Sequence, residues 1–253
     1  MSGQRSAWAV LGRLVRATVH VVRGLWIIRT RFGRLTDAQR TQAVRDWSRE
    51  VLRILGVELV VQGEVPDQGP ALVVANHVSW LDILVMNAAQ PARFVSKSDV
   101  KRWPLLGSLI TGAGTLYIER ENRRDAMRVV HHVAERLQAQ DLIAIFPEGT
   151  TGDGTALLPF HANLFQAAIA AEAPVLPVAL SYVHAGGTAR HDAPVYIGDT
   201  SLLASMWATV RATDVQAVLH YAAPQQARGR DRRRWAADVR SGLSGMLYPT
   251  ESS

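Results

Sequence analysis

From residue 37 onward, short apolar runs bounded by glycine and proline alternate with longer helical stretches, and this alternation limits the chain to a layered α/β architecture. A helix from about Asp37 to Leu55, ended by Gly56, leads into a strand Val57–Gln62. A buried strand Ala71–Ala75 follows, set off by the turn formers Pro66, Gly69 and Pro70. Next come a helix around Leu81–Ala89, a strand Arg93–Ser96, a helix near Leu105–Gly112 and a strand Thr115–Ile118. A long helix Arg124–Ala139, an apolar strand Leu142–Phe146, a helix Ala162–Ala171 and a strand Val175–Tyr182 continue the pattern. Strands near Val195–Ile197 and Val215–Tyr221 and a basic helix Asp231–Leu247 complete it. There is no internal repeat and no linker long enough to divide this region.

Composition narrows the class. With 48% hydrophobic and 20% charged residues among 253, the chain can bury a core and is neither disordered nor of low complexity. The absence of cysteine excludes a disulfide framework, a thiolate metal site and a cysteine nucleophile. No cluster of His, Asp and Glu has metal-ligand spacing, so no metal is expected.

The formal charge of +6 is unevenly placed. Residues 1–34 hold seven arginines and no acid, which leaves 21 of the 28 basic residues against all 22 acidic ones in the remainder. A nucleic-acid binder would spread basic residues over its folded face, whereas a local basic segment with aromatics suits a membrane surface. On a helical wheel Trp8, Leu11, Val15, Val19, Val22 and Trp26 share one side, with Arg5, Arg13, Arg16, His20 and Arg23 on the flank opposite. Arg13, Arg16 and Arg23 cut the apolar runs below the ~18 residues a spanning helix needs. Residues 1–35 are therefore expected to form an amphipathic arm lying on a membrane, and residues 36–253 the folded domain. The alternative is that the apolar stripe packs on the chain's own domain.

Chemistry begins where the strand Ala71–Ala75 ends, at Asn76-His77-Val78-Ser79-Trp80-Leu81-Asp82. His77 and Asp82 would diverge by about 140° on a regular helix, so they meet only if His77 sits in the turn and Asp82 in the first turns of the helix after it. Asp82 could then fix the imidazole tautomer and leave the other nitrogen as a base. Ser79 lacks the G-x-S-x-G setting of a serine hydrolase, so the base would activate a hydroxyl brought by a substrate. Taken alone, the pair could equally be chance, with Asp82 a helix-start residue.

Three further segments accompany the pair: Gly114-Thr115-Leu116-Tyr117-Ile118-Glu119-Arg120, Phe146-Pro147-Glu148-Gly149-Thr150 and Val175-Leu176-Pro177-Val178. In order and spacing the four together resemble the motifs of the glycerolipid acyltransferase family, which includes 1-acylglycerol-3-phosphate acyltransferases, over roughly residues 45–200. The resemblance implies an acyltransferase fold with a mixed sheet flanked by helices and an N-terminal membrane-associated segment. The implied reaction moves a fatty acyl group from a thioester, acyl-CoA or acyl-carrier protein, to the free hydroxyl of a lysolipid, with no cofactor. It implies catalytic roles for His77 and Asp82 and substrate-binding roles for Lys97, Arg120, Glu148, Gly149 and Thr150. Its partners would be membrane lipids and the acyl donor, with no nucleic acid, at the cytoplasmic face of a bacterial inner membrane.

One departure bears on the acceptor. Many phosphatidate-forming relatives carry an arginine directly after Glu-Gly-Thr, where this chain has Thr151. Either Arg120 and Lys97 hold the phosphate of 1-acyl-sn-glycerol-3-phosphate, the leading acceptor, or the acceptor is another lysolipid such as lyso-ornithine lipid. A hydrolase using His77 to activate water and a non-catalytic lipid-binding module are the competing classes. His161 is expected at a helix start, and His131 and His132 on a solvent-facing helix surface.

Overall fold

A computed structural model describes residues 5–102, 106–118, 123–198 and 200–249. Among these residues the strands are β1 Val57–Gln62, β2 Ala71–Ala75, β3 Arg93–Lys97, β4 Leu116–Ile118, β5 Leu142–Ile145, β6 Val175–His184 and β7 Val215–Tyr221. They form one sheet in the order β1-β7-β6-β2-β5-β3-β4. Only the pair β6 and β7 is antiparallel, so the sheet is mixed. The helices are α1 Ala7–Thr30, α2 Asp37–Leu55, α3 Asp82–Ala89, α4 Leu106–Gly112, α5 Arg123–Gln138, α6 Phe165–Ala170, α7 Leu202–Arg211 and α8 Arg232–Leu247.

The sheet separates two apolar cores. Side chains alternate across a strand, and in β2 Ala71, Val73 and Ala75 enter one core while Leu72 and Val74 enter the other. The first core is closed by α2, α3 and α7 through Leu52, Val85 and Val210, the second by α5, α6 and α8 through Leu137, Phe165 and Trp235. Covered on both faces, β2 has no use for polar residues, which is why its sequence is apolar throughout.

Helix boundaries follow local chemistry. Thr36 and Gln39 form a reciprocal capping box at the start of α2, and Gly56, at φ 64°, ends it in the left-handed region. Two sequence expectations need correction. Val195–Ile197 is not a strand: Pro194 offers no N–H, the Val195 N–H turns back to the Asp192 carbonyl, and Tyr196 N–H donates to the Val78 carbonyl at 2.9 Å. The segment lies across the His77 loop instead of joining the sheet. The expected helix Ala162–Ala171 opens as a 3-10 turn over Ala162–Leu164 and is α-helical only from Phe165. Sequence reading also misses α7, whose start is marked by Ser201 accepting the Ala204 N–H at 3.2 Å.

α1 docks with the side opposite its apolar stripe. Val10 is buried, and Gly24 approaches Trp47 so closely that a Cβ would stand 2.6 Å from its indole nitrogen. His20 stacks on Trp47 with centroids 5.1 Å apart, and Arg13 donates to the Leu55 carbonyl. The stripe itself faces outward, with Trp8 83% and Val19 62% exposed. No helix among the described residues is long and apolar enough to cross a membrane.

Candidate active site

β2, β5 and β3 run parallel, so their C-terminal ends share one edge of the sheet. β2 pairs with β5 through Val74 and Ile145, which sets the loop after β2 beside the loop after β5. His77 and the Phe146–Thr150 segment therefore meet, although 71 residues separate His77 from Glu148.

His77 Nδ1 lies 2.7 Å from Asp82 Oδ2. The same oxygen accepts the backbone N–H groups of Val78 at 2.8 Å and Ser79 at 2.9 Å, while Oδ1 accepts the Tyr182 hydroxyl at 2.7 Å. Asp82 is fully buried, and this set of donors balances the cost of placing its charge there. Tyr182 is buried beside that carboxylate, and both burial and the Asp82 charge hold its phenol pKa well above the ordinary value, so it remains an O–H donor. With Nδ1 engaged as donor, Nε2 is the nitrogen available to take up a proton. The ring is held flat against Phe146, centroids 4.0 Å apart and 9° from parallel.

Glu148 points its carboxylate back at the same loop. Oε1 accepts the His77 backbone N–H at 2.8 Å and Oε2 accepts the Leu158 N–H at 2.8 Å. Burial raises its pKa, and the two N–H donors oppose that shift. Glu148 thus braces the backbone of His77 and does not reach for solvent. Gly149 takes the left-handed φ of 72° that turns the chain there, and its N–H closes onto the Phe146 carbonyl at 3.1 Å. The loop is fastened again by Gly152 N–H to the His77 carbonyl at 2.8 Å. Thr151 donates its hydroxyl to the Tyr196 carbonyl. Asn76 completes the frame, exchanging two hydrogen bonds of 2.8 Å with the backbone of Leu180 on β6.

His77 borders an apolar cleft of about 340 Å³ that runs between α1, α2, α3 and α7, walled by Val21, Val51, Trp80, Leu84, Phe94 and Met206 among others. Sequence reading does not foresee this cleft, because its walls come from elements far apart in the chain.

Of the other predicted residues, Lys97 is exposed at the end of β3 and Thr150 is exposed in the loop after β5. Arg120 lies outside the described residues. His161 precedes the 3-10 turn at Ala162, with its N–H on the Pro147 carbonyl at 2.8 Å and no side-chain cap. His131 and His132 are exposed on α5 and pair with Glu135.

Comparison with known proteins bears on this arrangement. A sequence model of the Acyltransferase family matches residues 57–181, which hold His77, Asp82 and the Phe146–Thr150 loop. The chain is 44% identical over 174 residues to the 1-acyl-sn-glycerol-3-phosphate acyltransferase of Neisseria meningitidis serogroup B, covering 68% of this chain and 67% of the relative. It is 38% identical over 217 residues to the lyso-ornithine lipid O-acyltransferase of Pseudomonas aeruginosa, covering 84% of this chain and 83% of that one. The crystal structure of the 1-acyl-sn-glycerophosphate acyltransferase PlsC from Thermotoga maritima has the same fold, with a TM-score of 0.71 over 97% of both chains at 21% identity. Fold and sequence thus define an α/β acyltransferase. The chain belongs to the glycerolipid acyltransferase family.

Proposed function

We propose that this enzyme transfers a fatty acyl group from an acyl thioester to the free hydroxyl of a lysolipid, with His77 as general base and 1-acyl-sn-glycerol-3-phosphate as the leading acceptor. The observation that carries the reading is the His77–Asp82 pair, with His77 bordering an apolar cleft. His77 Nε2 removes the hydroxyl proton as the oxygen attacks the thioester carbonyl carbon. The resulting adduct collapses by breaking the C–S bond, and the departing sulfur takes the proton from the imidazolium. Asp82 stabilises that imidazolium, and base assistance of this kind is worth roughly 10²–10⁴ in rate. The cleft holds the acyl chain while Glu148 and Gly149 shape the loop that carries the base. Lys97, Arg120 and Thr150 bind the acceptor headgroup, the first two as cations. The donor is acyl-CoA or acyl-carrier protein, and no cofactor or metal takes part.

The outward apolar stripe and arginines of residues 1–35 support a location on a membrane surface, at the cytoplasmic face of a bacterial inner membrane, with residues 36–253 as the catalytic domain.

A second acceptor class is favoured by one observation. Thr151 spends its hydroxyl proton on the Tyr196 carbonyl and has no charge, so the side chain after Glu-Gly-Thr offers a phosphate no cation. The names of several relatives specify lyso-ornithine lipid, which makes O-acylation of that lipid the competing reading.

The test supplies the purified protein with one acyl thioester and a panel of lysolipids and identifies products by mass. Accumulation of phosphatidate supports the leading reading, and acylation of lyso-ornithine lipid alone supports the second. Release of free fatty acid with every lysolipid unchanged would mean a hydrolase.

A further inference from the structure

The helix α7 is amphipathic in an unusual sense, because it is apolar on the inside and on part of the outside as well. Ser205, Thr209 and Val210 are buried, and Leu202 and Met206 line the acyl cleft. Yet Leu203 is 77% and Trp207 47% exposed. Residues four apart share a helix face, so these two form one outward patch.

The patch has a definite direction. At about 100° per residue, Val210 stands about 20° from Leu203 and about 60° from Trp207. Val210 belongs to the same core cluster as Val10 of α1, and the end of α7 is tied to the start of α1 by Arg5 N–H on the Arg211 carbonyl at 3.1 Å and Arg5 Nε on the Ala212 carbonyl at 2.8 Å. Leu203 and Trp207 thus lie on the solvent side of a helix whose C-terminal end adjoins the start of α1. On α1 the exposed stripe from Trp8 to Trp26 lies opposite the docked face that contains Val10. Both helices present one face to the cleft, through Ala17 and Val21 on α1 and Leu202 and Met206 on α7, and another to solvent.

We propose that Leu203 and Trp207 extend the α1 stripe into one membrane-docking surface made of both helices, which seats the lip of the acyl cleft on an anionic bilayer. The inference rests on the membrane location proposed above for α1 and adds a second, sequence-distant element to it. A lipid surface is the occupant the chemistry selects. The stripe is bordered by Arg16, Arg23 and Arg29 on α1, the Arg211 guanidinium lies 5.8 Å from the Trp207 ring centroid, and the cleft beneath needs a water-insoluble chain delivered to it. Tryptophan and arginine together are suited to the headgroup layer, where an apolar ring and a cation can both be satisfied.

The test is sedimentation of the full chain with vesicles of phosphatidylethanolamine and phosphatidylglycerol, wild type against Leu203→Ser/Trp207→Ser and against Trp8→Ser/Val19→Ser. Each pair is expected to weaken binding about tenfold or more, with thermal melting confirming that both variants fold. Vesicles whose lipids carry brominated chains should quench the fluorescence of the wild type more than that of Trp207→Phe. If the α7 variant binds as tightly as wild type while the α1 variant is weakened, the composite surface is wrong and α1 docks alone. If both bind unchanged, the membrane reading of α1 fails as well. Loss of a concentration-dependent dimer in the α7 variant, with vesicle binding intact, would make the patch a contact between two copies and overturn the proposal.

Discussion

Asp82 Oδ1 accepts the hydroxyl of Tyr182 at 2.7 Å, so the carboxylate that orients His77 is itself held by a strand 100 residues further along the chain. Tyr182→Phe removes that donor and leaves Asp82 with only the donors on its other oxygen. One buried hydrogen bond is worth about 1 kcal/mol, so both stability and the chemical step should suffer modestly. Turnover is expected to fall about three- to tenfold with little change in the acceptor KM, read by steady-state kinetics. A rise in KM at unchanged kcat would move Tyr182 from positioning to acceptor binding.

Asp82→Asn should be much more severe. The amide keeps one acceptor oxygen for the Val78 and Ser79 N–H groups but puts an NH2 in place of the oxygen that accepts the Tyr182 hydroxyl, and it carries no charge to stabilise the imidazolium. A fall in kcat on the order of 10³–10⁴ is expected, measured with saturating acceptor and donor. Loss within tenfold would show that Asp82 only shapes the turn.

Glu148 gives a pH signature. Burial raises its folded-state pKa above the unfolded value, so its stabilising contribution is fully present below the unfolded pKa and fades as pH rises through the folded one. Gln at this position does not titrate. The melting temperature of Glu148→Gln relative to wild type should therefore climb as pH rises from the ordinary carboxylate range to neutrality, even though the amide loses one of the two N–H contacts. A constant difference, or one that widens against the variant as pH rises, would contradict the burial of the charge.

Two glycines on α1 should respond in opposite ways to alanine. At Gly12 a Cβ would meet nothing within 4 Å, so Gly12→Ala gains helix propensity, up to about 1 kcal/mol. At Gly24 a Cβ would sit 2.6 Å from Trp47 Nε1 and 3.1 Å from Leu109 Cδ2. Gly24→Ala must displace the Trp47 side chain or α1 itself and is expected to cost about 1–3 kcal/mol in thermal or urea unfolding. Equal effects would mean that α1 does not dock through this face.

The parts of the fold legible in sequence are those whose signal is local. β2 is a continuous apolar run, α2 carries its own capping box and terminal glycine, and the His77–Asp82 spacing closes within one turn. Tyr182 is not legible, because inside the apolar run of β6 it looks like any buried aromatic residue until β2 and β6 are paired. Tyr196 is misread for a related reason: its valine and isoleucine neighbours suggest a strand, but Pro194 and the carbonyl of Val78 draw it onto the His77 loop. The apolar stripe on α1 is visible on a helical wheel, yet its direction depends on Val10, Gly24 and His20 finding partners on α2 and beyond. The cleft is the least visible feature, since no single segment contains its walls.

That His77 drives acyl transfer to a lipid hydroxyl and not thioester hydrolysis is the core of the proposed mechanism. It is tested most directly by incubating wild type and His77→Ala with one acyl thioester and 1-acyl-sn-glycerol-3-phosphate in detergent, then weighing acylated lipid against free fatty acid by mass spectrometry, with melting curves to confirm that both proteins fold. Acylated lipid is expected as the dominant product of the wild type, with at least a 10²-fold lower rate of its formation in the variant. Acylated lipid formed by His77→Ala at the wild-type rate, or fatty acid as the only product of the wild type, would contradict it.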